Sequence, residues 1–113
     1  MKNAYGIGLE GEKIACAYIE QIGYTVLERR YRAKCGEVDI IAKDGKTVCF
    51  IEVKYRPKAR LGEALESVDD KKRRLVKSAA KEYMLKNNIK AKMRFDIIEI
   101  TRAGVWHLKG GNV

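Results

Sequence analysis

Histidine and cysteine, the usual ligands of zinc sites, are scarce in this 113-residue chain, and long apolar runs are missing. It has one histidine and three cysteines without a CxxC pair, so it lacks the ligand spacing of a structural zinc site. We expect Cys16, Cys35 and Cys49 to be small buried or half-buried side chains. No apolar run approaches the roughly 18 residues of a membrane span, and the N-terminal residues lack the apolar core of a signal peptide. The sequence therefore predicts no membrane partner and a cytoplasmic location.

Linker composition is also lacking, because Pro57 is the only proline and there is no repeat or Pro/Gly/Ser-rich stretch. The length suits one hydrophobic core, so residues 1–113 are predicted to form a single domain. Hydrophobic residues make up 46% and charged residues 35%, a globular composition. The formal net charge of +9 favours a polyanionic partner, nucleic acid before anionic membrane. A domain that is merely basic is the alternative.

Hydrophobic periodicity predicts two helices and five strands. One helix covers about residues 8–22 and ends at Gly23, and a second starts at a Ser67 cap and ends at Asn87-Asn88. Runs rich in β-branched residues predict strands at residues 24–32, 38–42, 48–54, 94–101 and 105–109. The order αβββαββ indicates an α/β domain whose central mixed sheet of about five strands is flanked by helices.

The second and third strands carry a candidate catalytic cluster. With a two-residue turn at Asp44-Gly45, Asp39 lies opposite Phe50, and alternation carries that face to Glu52 and Lys54. Asp39 and Glu52 are then diagonal neighbours whose carboxylates can share one Mg²⁺ or Mn²⁺ ion, since hard cations prefer oxygen ligands. Lys54 would orient the attacking water or stabilise developing charge. An ordinary ion pair between Glu52 and Lys54 is the alternative. The other face is predicted as core and carries Val38, Ile40, Ala42, Cys49, Ile51 and Val53.

Two charged side chains on the helices extend this cluster. Glu12 lies seven residues before Ile19, at the edge of the buried stripe of the first helix. It is predicted to face Asp39 and Glu52 as a further catalytic and metal-binding residue, the alternative being a first-turn acid that interacts with the helix dipole. Lys72 lies on the inward side of the second helix. It could meet a phosphate or a site carboxylate, or it could snorkel outward, which is the more common behaviour of such a lysine.

Basic residues flank the hairpin in three runs, which a phosphate-backbone track around a metal site would need. The predicted nucleic-acid contacts are Arg30, Arg32, Arg56, Lys58, Lys72 and Arg73. Tyr31 and Tyr55 are interleaved with these runs and are candidates for stacking on bases. The alternative is an ordinary solvated surface.

The ordered motifs resemble those of the YraN family. They are G-E-x-x-A, G-Y-x-x-L, Y-R, G-E-V-D-I-I-A, F-I-E-V-K-x-R, L-G, K and R-F-D, spread over residues 11–96. That bacterial family is similar to archaeal Holliday-junction resolvases, within the restriction-endonuclease-like PD-(D/E)xK superfamily. The resemblance implies this fold, with Asp39, Glu52 and Lys54 as the nuclease triad. It equates Glu12 with the helix glutamate of resolvase-like enzymes.

The resemblance further implies Mg²⁺-dependent phosphodiester hydrolysis on DNA, branched or otherwise structured. A junction resolvase makes two symmetric cuts, which implies a homodimer. Two positions depart from the family pattern and bear on the substrate surface. Arg30 stands where Asn is usual before Tyr-Arg, and Tyr55 where a small polar residue follows the E-V-K lysine. A non-catalytic nucleic-acid-binding protein of the same fold is the alternative function, and a small protein-interaction adaptor is a third.

Overall fold

The computed structural model describes residues 4–57 and 70–110, with side chains from Glu10 onward in the first helix. In these residues the elements are α1 (Ala4–Gln21), β1 (Thr25–Ala33), β2 (Gly36–Asp44), β3 (Thr47–Tyr55), α2 (Asp70–Lys86), β4 (Met93–Thr101) and β5 (Gly104–Leu108). The predicted order αβββαββ is confirmed, although α1 begins four residues earlier than predicted. The predicted cap at Ser67 and the predicted contact at Lys58 lie outside the described residues. Neither α1 nor α2, the helices of the described part, has the length and apolar character that crossing a bilayer requires.

Both helices end in a left-handed residue, as the sequence predicts. After α1, Gly23 (φ 98°) reverses the chain so that Tyr24 N–H donates to the Ile19 carbonyl at 2.8 Å. After α2, Asn88 (φ 52°) takes the same place, and Ile89 N–H donates into the last turn. This hydrogen-bond pattern is the Schellman motif, which satisfies carbonyl groups that have no partner within the helix.

One mixed sheet forms the centre of the described chain, with strand order β1-β2-β3-β4-β5. Strands β3 and β4 are parallel, and the other neighbouring pairs are antiparallel. Parallel neighbours need a crossover connection, and α2 lies in the segment that joins β3 to β4. The predicted mixed α/β sheet of five strands is therefore confirmed.

The two faces of the sheet are covered by different helices. The cluster on the α1 face contains Ala15, Cys16, Ile19, Tyr24, Ile40, Ala42, Cys49, Ile51, Ile98 and Ile100. The cluster on the α2 face contains Val38, Ile41, Val48, Phe50, Val76, Ala79, Ala80, Tyr83 and Met84. Cys16 and Cys49 are buried, as expected, whereas Cys35 is exposed because it lies in the turn between β1 and β2.

The hairpin between β2 and β3 turns at Gly45-Lys46, so the predicted turn at Asp44-Gly45 was wrong by one residue. Gly45 (φ 60°) takes the first central position, as in a type II′ turn. Ile41 now faces Phe50, and every partner is shifted by two residues from the predicted register. A shift of two preserves the alternation of side chains, so the predicted separation of the two faces largely survives.

Val38 is the exception, because it packs in the α2 cluster rather than beside Ile40 as predicted. Arg30 lies between the ladder pairs Arg29–Ile40 and Tyr31–Val38 and has a left-handed backbone (φ 50°). Such a conformation is uncommon for a residue with a side chain. The β1–β2 ladder nevertheless keeps one register on both sides of Arg30, so β1 accommodates this residue without a register shift.

A buried polar network ties the start of β4 to its neighbours. The side chain of Asp96 is fully buried and accepts hydrogen bonds from Arg94 Nε (2.8 Å) and Gly110 N–H (3.0 Å). Its other oxygen lies 2.8 Å from His107 Nε2, and Arg94 also contacts Asp44 at 2.8 Å. Burial alone would raise the pKa of Asp96, but the hydrogen bonds from His107 and Arg94 hold it at about 2. The Asp of the R-F-D motif therefore joins β2, β4 and β5.

Candidate functional site

The candidate site lies where the β2–β3 ladder ends. Ile40–Ile51 is the last pair of that ladder, and continuing the register by one residue puts Asp39 across from Glu52. The Asp39 side chain fills this opening, since its Oδ2 accepts a hydrogen bond from Val53 N–H at 2.8 Å. The Asp39 carboxylate therefore lies against β3 beside Glu52, at the point where the β2–β3 ladder ends.

Asp39 is held in an environment that disfavours its negative charge. Burial, followed by the charge of Glu52, raises the pKa of Asp39 to about 7. The Val53 N–H and Lys72 oppose that rise, and Glu12 adds to it. The charges of Glu52 and Glu12 thus both act on the Asp39 carboxyl group in the folded chain.

Glu52 meets two ammonium groups. It is 7% exposed, and its Oε1 lies 3.4 Å from Lys54 Nζ and 2.6 Å from Lys72 Nζ. Lys54 follows it on β3, whereas Lys72 comes from the first turn of α2. The expectation that Lys72 snorkels away from the site was therefore wrong, because a buried carboxylate offers a stronger partner than solvent.

Glu12 is brought to the site by a close approach of α1 to the end of β3. A Cβ atom on Gly11 would lie 2.7 Å from Cβ of Tyr55, so glycine permits this approach. Glu12 is 7% exposed and contacts Arg30 Nε at 2.5 Å. Arg30 is half-buried in this pairing, and its predicted phosphate contact stays a prediction.

The remaining predicted nucleic-acid residues lie at the surface. Arg32 is largely exposed and 3.4 Å from Glu37, Arg73 contacts Asp70 at 3.3 Å, and Arg56 is exposed just after β3. The two tyrosines proposed for base stacking behave differently. The rings of Tyr31 and Tyr55 are half-buried and pack against the α2 and α1 clusters respectively. Their predicted stacking on bases stays a prediction.

A groove of about 400 Å³ opens between the start of β2 and the first turns of α2. Asp39 lies on its wall, together with Glu37, Lys71, Lys72 and Leu75. This groove gives a ligand in solvent a route to the Asp39 carboxylate. Its basic wall is supplied by α2.

The donor atoms of the site suit a hard divalent cation. Within residues 4–57 and 70–110 the side chains form no ready-made group of three or more His, Cys, Asp or Glu ligands. Glu12 and Glu52 are each paired with a basic side chain instead. Mg²⁺ is commonly held by only one or two carboxylates while it keeps several waters. Asp39 and Glu52 meet that requirement, because Glu52 is buried, Asp39 is half-buried on the wall of the groove, and the charge of Glu52 acts on Asp39.

Two partnerships at the site escaped the sequence analysis. The pairing of Lys72 with Glu52 joins residues 20 positions apart in sequence on different elements. The pairing of Glu12 with Arg30 depends on a left-handed residue inside a strand. The inward position of Lys72 on α2 was the only signal for the first. The pattern around Arg30 carries no signal for its backbone conformation.

Comparison with known proteins identifies similar chains. The sequence model of the Uncharacterised protein family UPF0102 matches residues 11–100. A UPF0102 protein of Clostridium kluyveri is 54% identical over 95 residues, which cover 83% of this chain and 78% of the relative. A UPF0102 protein of Persephonella marina is 43% identical over 103 residues, covering 90% and 89%. One from Thermotoga maritima is 40% identical over 101 residues, covering 89% and 92%.

Proposed function

This chain belongs to the UPF0102 (YraN) family, and we propose that it is a divalent-metal-dependent endonuclease that hydrolyses phosphodiester bonds of DNA. The observation that carries the proposal is the pair of carboxylates on neighbouring strands, the half-buried Asp39 and the buried Glu52, with Lys54 beside Glu52. Ionised groups are expensive to bury unless they have a compensating charge or a function. A purely structural ion pair would need only one of the two acids.

Asp39 and Glu52 are the residues that would hold the cation, and Glu12 would contribute directly or through a water. The Val53 carbonyl is a further candidate ligand. Mg²⁺ or Mn²⁺ would supply a Lewis acid that polarises the scissile phosphate and lowers the pKa of a bound water. A cation would also relieve the repulsion that, together with burial, raises the pKa of Asp39 to about 7.

Lys54 is placed to act on the reacting groups. Its side chain is only 12% exposed and lies 3.4 Å from Glu52. A buried ammonium group in this position can orient the attacking water or stabilise negative charge that develops on the phosphate. Its position two residues after Glu52 on one strand fixes both groups on the same side of the sheet.

The charge distribution favours DNA as the substrate. The chain carries a formal net charge of +9, and the first turns of α2 present Lys71, Lys72, Arg73 and Arg74 next to the groove that leads to Asp39. Such a surface binds phosphate backbones without reading bases. A branched or otherwise structured substrate is part of the proposal, and two symmetric cuts would require a homodimer.

Cleavage of labelled single strands, duplexes, flaps and four-way junctions tests the proposal. We expect cleavage with Mg²⁺ or Mn²⁺ and none with EDTA. Asp39→Asn and Lys54→Met should abolish it, while Glu20→Gln, an exposed carboxylate on α1, should retain it. Cleavage that survives Asp39→Asn would place the chemistry elsewhere.

The rival function is nucleic-acid binding without cleavage. It is favoured by one observation, that Glu12 and Glu52 already have basic partners. Salt-sensitive DNA binding by all four proteins, with no cleavage of any substrate, would support it. The carboxylates would then have a structural role only.

A further inference from the structure

Lys72 and Lys54 both contact Glu52, but their side chains differ in exposure to solvent. The ammonium group of Lys72 is 2.6 Å from Glu52, yet 46% of its side chain is exposed. Lys54 contacts the same carboxylate oxygen but is 12% exposed and belongs to a central strand. The half-exposed side chain of Lys72 therefore has solvent beside it, whereas the side chain of Lys54 is largely enclosed by protein.

The charges of the site make one of these ammonium groups exchangeable. Asp39 and Glu52 carry at most two negative charges, and Lys54 and Lys72 supply two positive ones. Charge from Asp39 and from Glu37 also acts on Lys72, in addition to its hydrogen bond with Glu52. A divalent cation on the same carboxylates would leave an excess of positive charge, and the departure of Lys72 reduces that excess.

A side chain of Lys72 that leaves Glu52 can enter the neighbouring groove. Lys72 lines the groove that leads to Asp39, next to Lys71. Both lie in the first turn of α2, where the helix dipole favours anions. A phosphate group that approached the carboxylate site through this groove would meet an ammonium group no longer engaged by Glu52.

We infer that Lys72 is an exchangeable counter-ion, which neutralises Glu52 in the metal-free protein and binds a substrate phosphate once a divalent cation takes its place. This inference rests on the proposed function, because it requires both a cation and a phosphodiester at the site. Its consequence is positive coupling, in which the cation raises the affinity for DNA and DNA raises the affinity for the cation by the same factor.

Two binding measurements on the full chain test the inference. The first is Mn²⁺ affinity by calorimetry without DNA. Lys72→Met removes the competitor for Glu52 and should tighten Mn²⁺ binding by about fivefold or more. Lys71→Met is the matched control, since Lys71 lines the same groove without an ion pair to Glu52, and it should bind Mn²⁺ nearly as wild type does.

The second measurement is affinity for a labelled DNA duplex at constant ionic strength, with EDTA and then with Ca²⁺. We expect Ca²⁺ to strengthen DNA binding by wild type about fivefold or more. Lys71→Met should bind DNA more weakly in both conditions but keep that ratio. For Lys72→Met, Ca²⁺ should no longer strengthen DNA binding relative to EDTA. For Lys72→Arg, which retains an exchangeable cation, the strengthening by Ca²⁺ should return. Circular dichroism confirms that each variant is folded.

The outcomes separate this inference from the proposed function. If wild type binds neither Mn²⁺ nor Ca²⁺, the metal-dependent function and the exchange fall together. If wild type binds the cation but Lys72→Met binds it no more tightly, only the exchange is overturned. Retention of the Ca²⁺ ratio by Lys72→Met would also overturn it.

Discussion

Asp39→Asn should make the metal-free protein more stable while it removes the proposed activity. The carboxyl group of Asp39 has an ordinary pKa of 3.8 and a pKa of about 7 in the folded chain, first because of burial and then because of Glu52. Asparagine has no charge to bury, and its amide oxygen can still accept the hydrogen bond from Val53 N–H. The substitution therefore removes the penalty and keeps the contact.

The sign and size of the effect follow from proton linkage. Between pH 4 and 7 the unfolded chain releases the Asp39 proton while the folded chain retains it, so Asp39 lowers the free energy of unfolding as the pH rises through that range. A pKa change from 3.8 to about 7 corresponds to roughly 4 kcal/mol once the pH exceeds 7. Since the new amide must itself be solvated or bonded, we expect Asp39→Asn to gain about 1–3 kcal/mol at pH 8.

Urea denaturation in EDTA at pH 8 and pH 4.5 measures this gain. We expect Asp39→Asn to exceed wild type clearly at pH 8 and to differ little at pH 4.5, where the wild-type carboxyl is protonated. Glu20→Gln, at an exposed position of α1, should show no such pH dependence. Excess Mg²⁺ should stabilise wild type and not Asp39→Asn. An equal gain at both pH values, or a loss at pH 8, would refute the electrostatic argument.

Two further predictions concern the framework of the site. Gly11→Ala places a Cβ atom 2.7 Å from Tyr55 Cβ, which forces α1 to shift. We expect the free energy of unfolding, measured with urea, to fall by about 1–3 kcal/mol. An unchanged free energy of unfolding would contradict the close approach. Asp96→Asn removes one of the two carboxylate partners of Arg94, which keeps Asp44, and should cost about 1–3 kcal/mol in unfolding free energy at pH 7. Because the pKa of Asp96 is held at about 2, wild type should keep its higher free energy of unfolding down to pH 4, and the difference should shrink between pH 4 and 2. Equal free energies of unfolding at pH 7 would show that the network does not stabilise the fold.

The architecture could be predicted from the sequence because each element carries a local signal. Gly23 and Asn88 mark the helix ends, and the alternating runs mark the strands. The turn between β2 and β3 was predicted one residue too early. Most side chains were still assigned to the correct face, because the true register differs from the predicted one by two residues, an even number. A glycine can occupy either central position of a two-residue turn, and the sequence does not reveal which one Gly45 takes.

The partners of the charged side chains could not be predicted in the same way. The sequence placed Asp39, Glu52 and Lys54 on one face, and the structure brings them together. The position of Lys72 depends on how α2 packs across the sheet, which is a long-range property. That of Arg30 depends on a strained backbone that only the surrounding structure can maintain.

The hydrogen bond from Val53 N–H to Asp39 also provides a spectroscopic reporter at the centre of the site. An amide proton that is bonded to a carboxylate resonates in a position that depends on the charge of its acceptor. In isotope-labelled protein the Val53 resonance should follow acid, Mg²⁺ or an oligonucleotide as each reaches Asp39. A single natural amide thus allows each ligand to be detected by magnetic resonance without any substitution or attached dye.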